Sequence, residues 1–289
     1  MTGPTTDAAR GARRWPWIVA GLVAAVLAGL IVLRFVYRDS ATPVPVSQAV
    51  QDFREGSTTE PDDPPDTTTP VPSRESSSST APADVGPGRP ELGVYVYDTA
   101  GFEEIDALDG TRHEYPAITT ITVREGECGT VHRWDALEER FEEWETCLAD
   151  DGLAIPWYTA FHRFFGNDDR QDFVCEIEPL LITPDPAPGT SRTGVCRSAD
   201  LVETITVTFE GAEQLTVAGT PVDTLRLAQS IVIEGNSTGA FASMMWLARD
   251  TGLVIRWSES GESTTGSLIG DVNYAEEFSV SLTGLTPRR

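Results

Sequence analysis

Lysine is absent from this 289-residue chain: all 21 basic residues are arginine. They face 45 acidic residues, for a formal net charge of −24. The imbalance is concentrated, with 8 arginines against 10 acids in residues 1–90 and 13 against 35 in residues 91–289. A surface of that sign repels nucleic acid and anionic lipid headgroups, so nucleic acid is not expected as a partner. Histidine is scarce: His113, His132 and His162 are the only three, and none has an H-x-x-x-H or H-E-x-x-H neighbour. They read as surface or strand residues. The four cysteines lie 19, 28 and 21 residues apart, too widely for the close thiolate spacing of a typical zinc site.

Catalytic motifs are missing as well. There is no G-x-S-x-G, S-x-x-K or glycine-rich phosphate loop. Asn167-Asp168-Asp169 with Asp172 lacks the glycine and terminal glutamate register of an EF-hand and reads as an acidic turn. Glu138, Glu139, Glu142, Glu143 and Glu145 read as a solvated face rather than an acid–base pair. No catalytic residue, cofactor or metal is therefore expected, and the chain reads as a non-enzyme.

One long uncharged run is present. Trp15 to Leu33 carries no charge over 19 residues, enough helix to cross ~28 Å of a ~30 Å hydrocarbon core. Arg34 snorkels, so the predicted membrane helix extends over residues 15–37, with Trp15, Trp17, Phe35 and Tyr37 at the two interfaces. A cleaved signal peptide is the competing reading, but the run is long and no good A-x-A site follows it. Arg10, Arg13 and Arg14 against Arg34 and Arg38 favour a cytoplasmic N-terminal tail, residues 1–14, and a single-pass anchor in the cell membrane. Gly21, Ala25 and Gly29 share one helix face, a small-xxx-small pattern that suits self-association. Residues 38–90 are rich in Pro, Ser, Thr and Asp and read as a disordered linker, with at most a transient helical turn over 48–55.

Residues 91–289 read as one extracytoplasmic β domain. Residues 92–99 and 116–124 are strand-like, and the last ninety residues alternate in runs separated by turn signals every 10–14 residues. Among those signals are Gly219-Thr-Pro221, Gly235-Asn236 and Ser260-Gly261. Beyond a membrane span, an oxidising space favours disulfides. Cys175 and Cys196 flank the turn-rich Thr183–Gly189, which pairs them across a hairpin, and Cys128 with Cys147 follows the same logic. In that second hairpin the register would set Trp134 against Phe141. A helix over 130–148, with Leu137, Phe141, Trp144 and Leu148 on one face, is the alternative there. Short successive antiparallel strands give a barrel, a sandwich or one large curved sheet. Trp134, Trp144, Trp157, Trp246 and Trp257 belong to this domain and are candidates to line a ligand cavity as well as to pack its core.

Two segments carry a resemblance. Gln214-Leu-Thr-Val-Ala-Gly219 with Val222–Leu227 resembles a V-x-V-(P/A)-A-G…V-x-T-x-R-V strand pair. Met245–Arg256 resembles the W-x-(A/D)-x-x-x-G-(L/V)-x-x-R hairpin that follows it. Both recur in bacterial envelope proteins with a lipoprotein-carrier-like domain, and the whole chain resembles actinobacterial membrane-anchored proteins of unknown function. The resemblance implies a mainly β fold, a large curved antiparallel sheet or incomplete barrel around an apolar cavity. It implies a tethered binding module for an apolar or lipidic ligand or an envelope protein. An envelope-polymer hydrolase using carboxylates and a scaffold or signalling accessory protein are the other readings.

Overall fold

The computed structural model describes residues 41–56, 88–107, 110–149, 152–177, 180–182, 187–267 and 270–289. The expected membrane helix, the Gly21-Ala25-Gly29 face and most of the linker lie outside those residues. Among the described residues no helix is long and apolar enough to cross a membrane.

The linker region does contain one ordered element. Helix α1 (Val46–Gly56) follows Pro45, whose carbonyl accepts the first helical N–H groups. Val46, Ala49, Val50 and Phe53 recur at helical spacing, and Ala49 is buried where α1 rests on the barrel. Thr42 just ahead of it donates through both its backbone N–H and its hydroxyl to Glu139 at 2.8 Å.

The other regular elements among the described residues are strands. β1 (Gly93–Ile105), β2 (Thr111–Glu114), β3 (Ile118–Glu125), β4 (Gly129–Leu137) and β5 (Arg140–Ala149) come first. β6 (Gly152–Ala154), β7 (Trp157–Phe164), β8 (Asn167–Ile177), β9 (Leu180–Ile182) and β10 (Ser191–Arg197) follow. β11 (Leu201–Val217), β12 (Thr220–Gly235), β13 (Ser237–Ala248), β14 (Val254–Ser267) and β15 (Gly270–Leu282) are the longest run. Twelve of them form a closed antiparallel ring, β4-β3-β1-β15-β14-β13-β12-β11-β10-β8-β7-β5, shut by the β4–β5 hairpin. β2 extends the β1 edge beyond β3, and β6 and β9 extend β5.

The incomplete barrel expected from sequence is thus corrected to a complete one. The seam is β1 against β15, pairing Tyr97 with Leu282 through Ile105 with Tyr274. Closure satisfies every edge of the ring. The outer face is polar, and only Ile118, Leu148, Val174 and Val232 are large exposed apolar residues among those described.

The hairpin reading of residues 128–148 holds and the helix does not, but the register is shifted by one. Gly129, not Cys128, lies opposite Cys147, so Trp134 faces Glu142 rather than Phe141. A one-residue slip exchanges the two faces, which turns Trp134 and Trp144 together into the lumen. The Cys128–Cys147 and Cys175–Cys196 disulfides are both formed, the second across directly paired strands. β8 ends at Ile177, however, and β9 leaves its hairpin to pair with β6.

Three predicted turns move. The chain reverses at Phe165–Gly166 and Ala218–Gly219, two-residue turns in which both residues have positive φ (53° and 74°, 48° and 84°). Gly166–Asp169 and Gly219–Pro221 therefore lie mostly in strands. Ser260-Gly261 is no turn either; it lies within β14, where a Cβ on Gly261 would strike the Phe241 ring at 2.3 Å.

Candidate functional site

A twelve-stranded barrel has more lumen than aliphatic side chains fill readily. Here large aromatics take much of it. Trp134 is fully buried, 5.4 Å from Trp257 and 4.4 Å from Phe278 between ring centroids, and its indole donates to Thr119 Oγ1 at 3.0 Å. His132 stacks on Trp144 across the β4–β5 ladder at 5.4 Å. Burial holds the His132 imidazole neutral, its pKa pushed down to about 4.

The rest of the lumen is charged. Arg140, 1% exposed, grips Glu276 with Nε and Nη2, each donating over 3.0 Å, while Nη2 also reaches Glu142 and Nη1 donates to the Phe141 carbonyl at 2.8 Å. Glu276 further accepts from the hydroxyls of Tyr115 and Tyr274. Next to it, Glu103 is completely buried between His113 Nδ1 and His162 Nδ1, both 2.8 Å away. Burial alone would raise the Glu103 pKa, but the two imidazole hydrogen bonds outweigh it and hold it at about 2.

Beside this network lies a cavity of about 90 Å³. Trp144, Ile155, Tyr158, Ile205, Ile231, Met245 and Trp257 give it an apolar and aromatic wall, and Glu142, Glu203, Glu259 and Gln229 border it with polar groups. Carboxylate oxygens of Glu142, Glu259 and Glu276 lie within 4.8 Å of one another. Crowding of that kind in a poorly solvated space favours the neutral acid. Burial pushes Glu203 up to about 7 against the lowering effect of the Tyr158 hydroxyl bonded to it. Burial, then the neighbouring Glu142 and Glu276 charges, raise Glu259 far above the carboxylate range, and burial raises Glu142.

Of the five candidate tryptophans, Trp144 and Trp257 reach the cavity. Trp134 is core. Trp157 is half-buried and donates to Glu145 Oε2 at 2.8 Å; Trp246 faces outward, bonded to Glu213 beneath Arg256. The supposed solvated glutamates divide. Glu145 is buried, accepting also from the Cys128 and Gly129 N–H groups; Glu139 is buried under Thr42; Glu142 borders the cavity. The histidines are buried or half-buried strand residues, not surface ones. Asp168 and Asp172 are paired with Arg163 and Arg170 at the start of β8.

Sequence reasoning missed Glu103, Arg140, Glu203, Glu259 and Glu276. Three of the four carboxylates had a signal. Glu203 is in phase with Ile205, Val207 and Phe209, Glu259 with Ile255 and Trp257, and Glu276 with Phe278, Val280 and Leu282, all buried.

The fold and site together define a closed antiparallel barrel with a carboxylate-bordered internal cavity. No protein-family model matches the chain, and no curated protein matches it. Comparison with solved structures finds the hypothetical lipoprotein YmcC of Escherichia coli, 12% identical over 62% of this chain and 85% of that one, with a TM-score of 0.28. At that score the likeness carries no argument about function, and no family relationship, actinobacterial or other, follows from it.

Proposed function

We propose that the barrel is a binding module held on the outer side of a cell membrane, whose lumen takes a small ligand with an apolar body. The observation that carries this reading is the cavity itself, walled by Trp144, Ile205, Ile231, Met245 and Trp257. Concave, mainly apolar spaces with a few convergent polar groups are the usual form of small-ligand sites. Two disulfides support an oxidising compartment, and the uncharged run over residues 15–33 supplies the tether. The site offers binding groups rather than a nucleophile with its base.

Native mass spectrometry of the full chain, extracted from its host membrane in mild detergent, tests this. A bound small molecule is expected on the wild type and should be lost from Ile231→Trp, which fills the cavity. The bare polypeptide mass for each, with no adduct on either, would count against it.

A further inference from the structure

We infer that the cavity selects an organic cation: a compact ammonium head that also carries an oxygen acceptor. This deepens the binding-module reading and rests on it. The wall carries the carboxyls of Glu142, Glu203 and Glu259 and no arginine or histidine. The nearest cation, Arg140, is already committed to Glu276 and Glu142. In the empty cavity burial favours the neutral forms of Glu203 and Glu259, and Arg140 is spent on Glu276 and Glu142. A cationic guest compensates these carboxyls as they ionise; an anionic or neutral guest does not.

Two independent features point the same way. Trp257, 4% exposed, borders the cavity with its indole N–H buried and without a hydrogen-bond partner among the described residues. A buried donor left unpaired destabilises the empty protein, and an acceptor on the ligand would satisfy it. Trp144 and Trp257 also stand nearly perpendicular, 74° apart at 5.8 Å, and Tyr158 completes three aromatic walls. Rings arranged around a space bordered by carboxylates are the recognised setting for ammonium binding through cation–π attraction. Glu259 borders the cavity beside Trp257 and ionises as the cation binds, supplying the counter-charge. The size restricts the guest: about 90 Å³, against the ~150 Å³ cavity that takes benzene, suits a small primary ammonium rather than a quaternary head or an acyl chain.

The test titrates full-length protein with ethanolamine and with its uncharged carbon isostere, propan-1-ol, reading tryptophan fluorescence at pH 8. Ethanolamine should bind at least tenfold more tightly. Glu259→Gln and Glu203→Gln should each weaken ethanolamine several-fold and leave the alcohol unchanged; both substitutions keep the side-chain shape and remove the acid that ionises. Equal binding of the two compounds would overturn the cation inference while leaving the binding module standing. Binding of neither would also overturn the cation inference, and the adduct in native mass spectra then judges the module by itself. A second arm sediments the protein with vesicles containing phosphatidylethanolamine. Depletion that free ethanolamine reverses identifies a lipid headgroup as the source, whereas ethanolamine binding without depletion identifies a free amine.

Discussion

Replacing Arg140 with methionine puts the charged half of the lumen to its sharpest test. The guanidinium is 1% exposed and makes hydrogen bonds to Glu276, Glu142 and the Phe141 carbonyl. Methionine keeps much of the volume but leaves two carboxylates without their cation in a poorly solvated interior. Breaking a buried pair from one side costs about 3–5 kcal/mol. With a urea m-value of about 3 kcal/mol/M for a domain of this size, the midpoint should fall by roughly 1–1.7 M at unchanged slope. Adding Glu276→Gln keeps an acceptor for the Tyr115 and Tyr274 hydroxyls and removes one stranded charge, so about half the loss should return. Urea titration of the full chain with its disulfides intact measures both. A single variant that loses under 0.3 M, or a double variant no more stable than the single, would refute the reasoning.

Stability should also depend on pH in a defined way. Glu203 is raised to about 7, so it favours folding while protonated, and that contribution is lost as pH rises from the unfolded carboxylate value through 7. His132, lowered to about 4, favours folding while neutral, and its contribution is lost as pH falls from about 6.5 to 4. The two oppose each other between about 4.5 and 6.5, each at up to ~1.4 kcal/mol per pH unit. Glu259, also raised by burial, acts in the same sense as Glu203, so stability should keep rising as pH falls from 7.5 toward 4.5. Below about 4.5 it should fall as Glu103, held at about 2, begins to lose its contribution. Glu203→Gln should flatten the rise between 7.5 and 6 in thermal melts. Replacing Cys175 and Cys196 together by serine should cost about 3 kcal/mol, the closure entropy of a loop of that length, in the same urea titration. Ala218→Asn places a residue that tolerates φ of 48° in the β11–β12 turn; a gain of about 1 kcal/mol and 2–4 °C in Tm is expected, and a loss would show the turn is not as described.

How much of this was legible in the sequence differs element by element. The hairpin ladders of β11 to β15 are local, their turns are marked by Gly219, Gly235 and Gly252, and alternation gives their strands. Closure is not local. It depends on β1 meeting β15, with Tyr97 opposite Leu282, and no pattern within either segment announces that partner. The cysteines identified both disulfide hairpins but fixed the register only where they sit directly opposite, at Cys175 and Cys196. Cys128 lies just outside β4, so counting from it misplaces Trp134 and Trp144 by one residue, enough to exchange inside for outside. Glu142 was read as solvated because glutamate usually is; in phase with Trp144 on a β-strand, it points into the barrel instead. Helix α1 was underrated because proline-rich and polar flanks masked the spacing of Val46, Ala49, Val50 and Phe53.

The account's central claim is that the lumen, and not the outer face, is where this protein meets its ligand. Tryptophan indole resonances test it most directly, with Trp257→Phe and Trp246→Phe variants providing the assignments. On titration with ethanolamine, the Trp257 indole proton should move downfield as it gains an acceptor, while that of Trp246, bonded to Glu213 on the outside, stays where it is. A shift at Trp246 with none at Trp257 would contradict the claim.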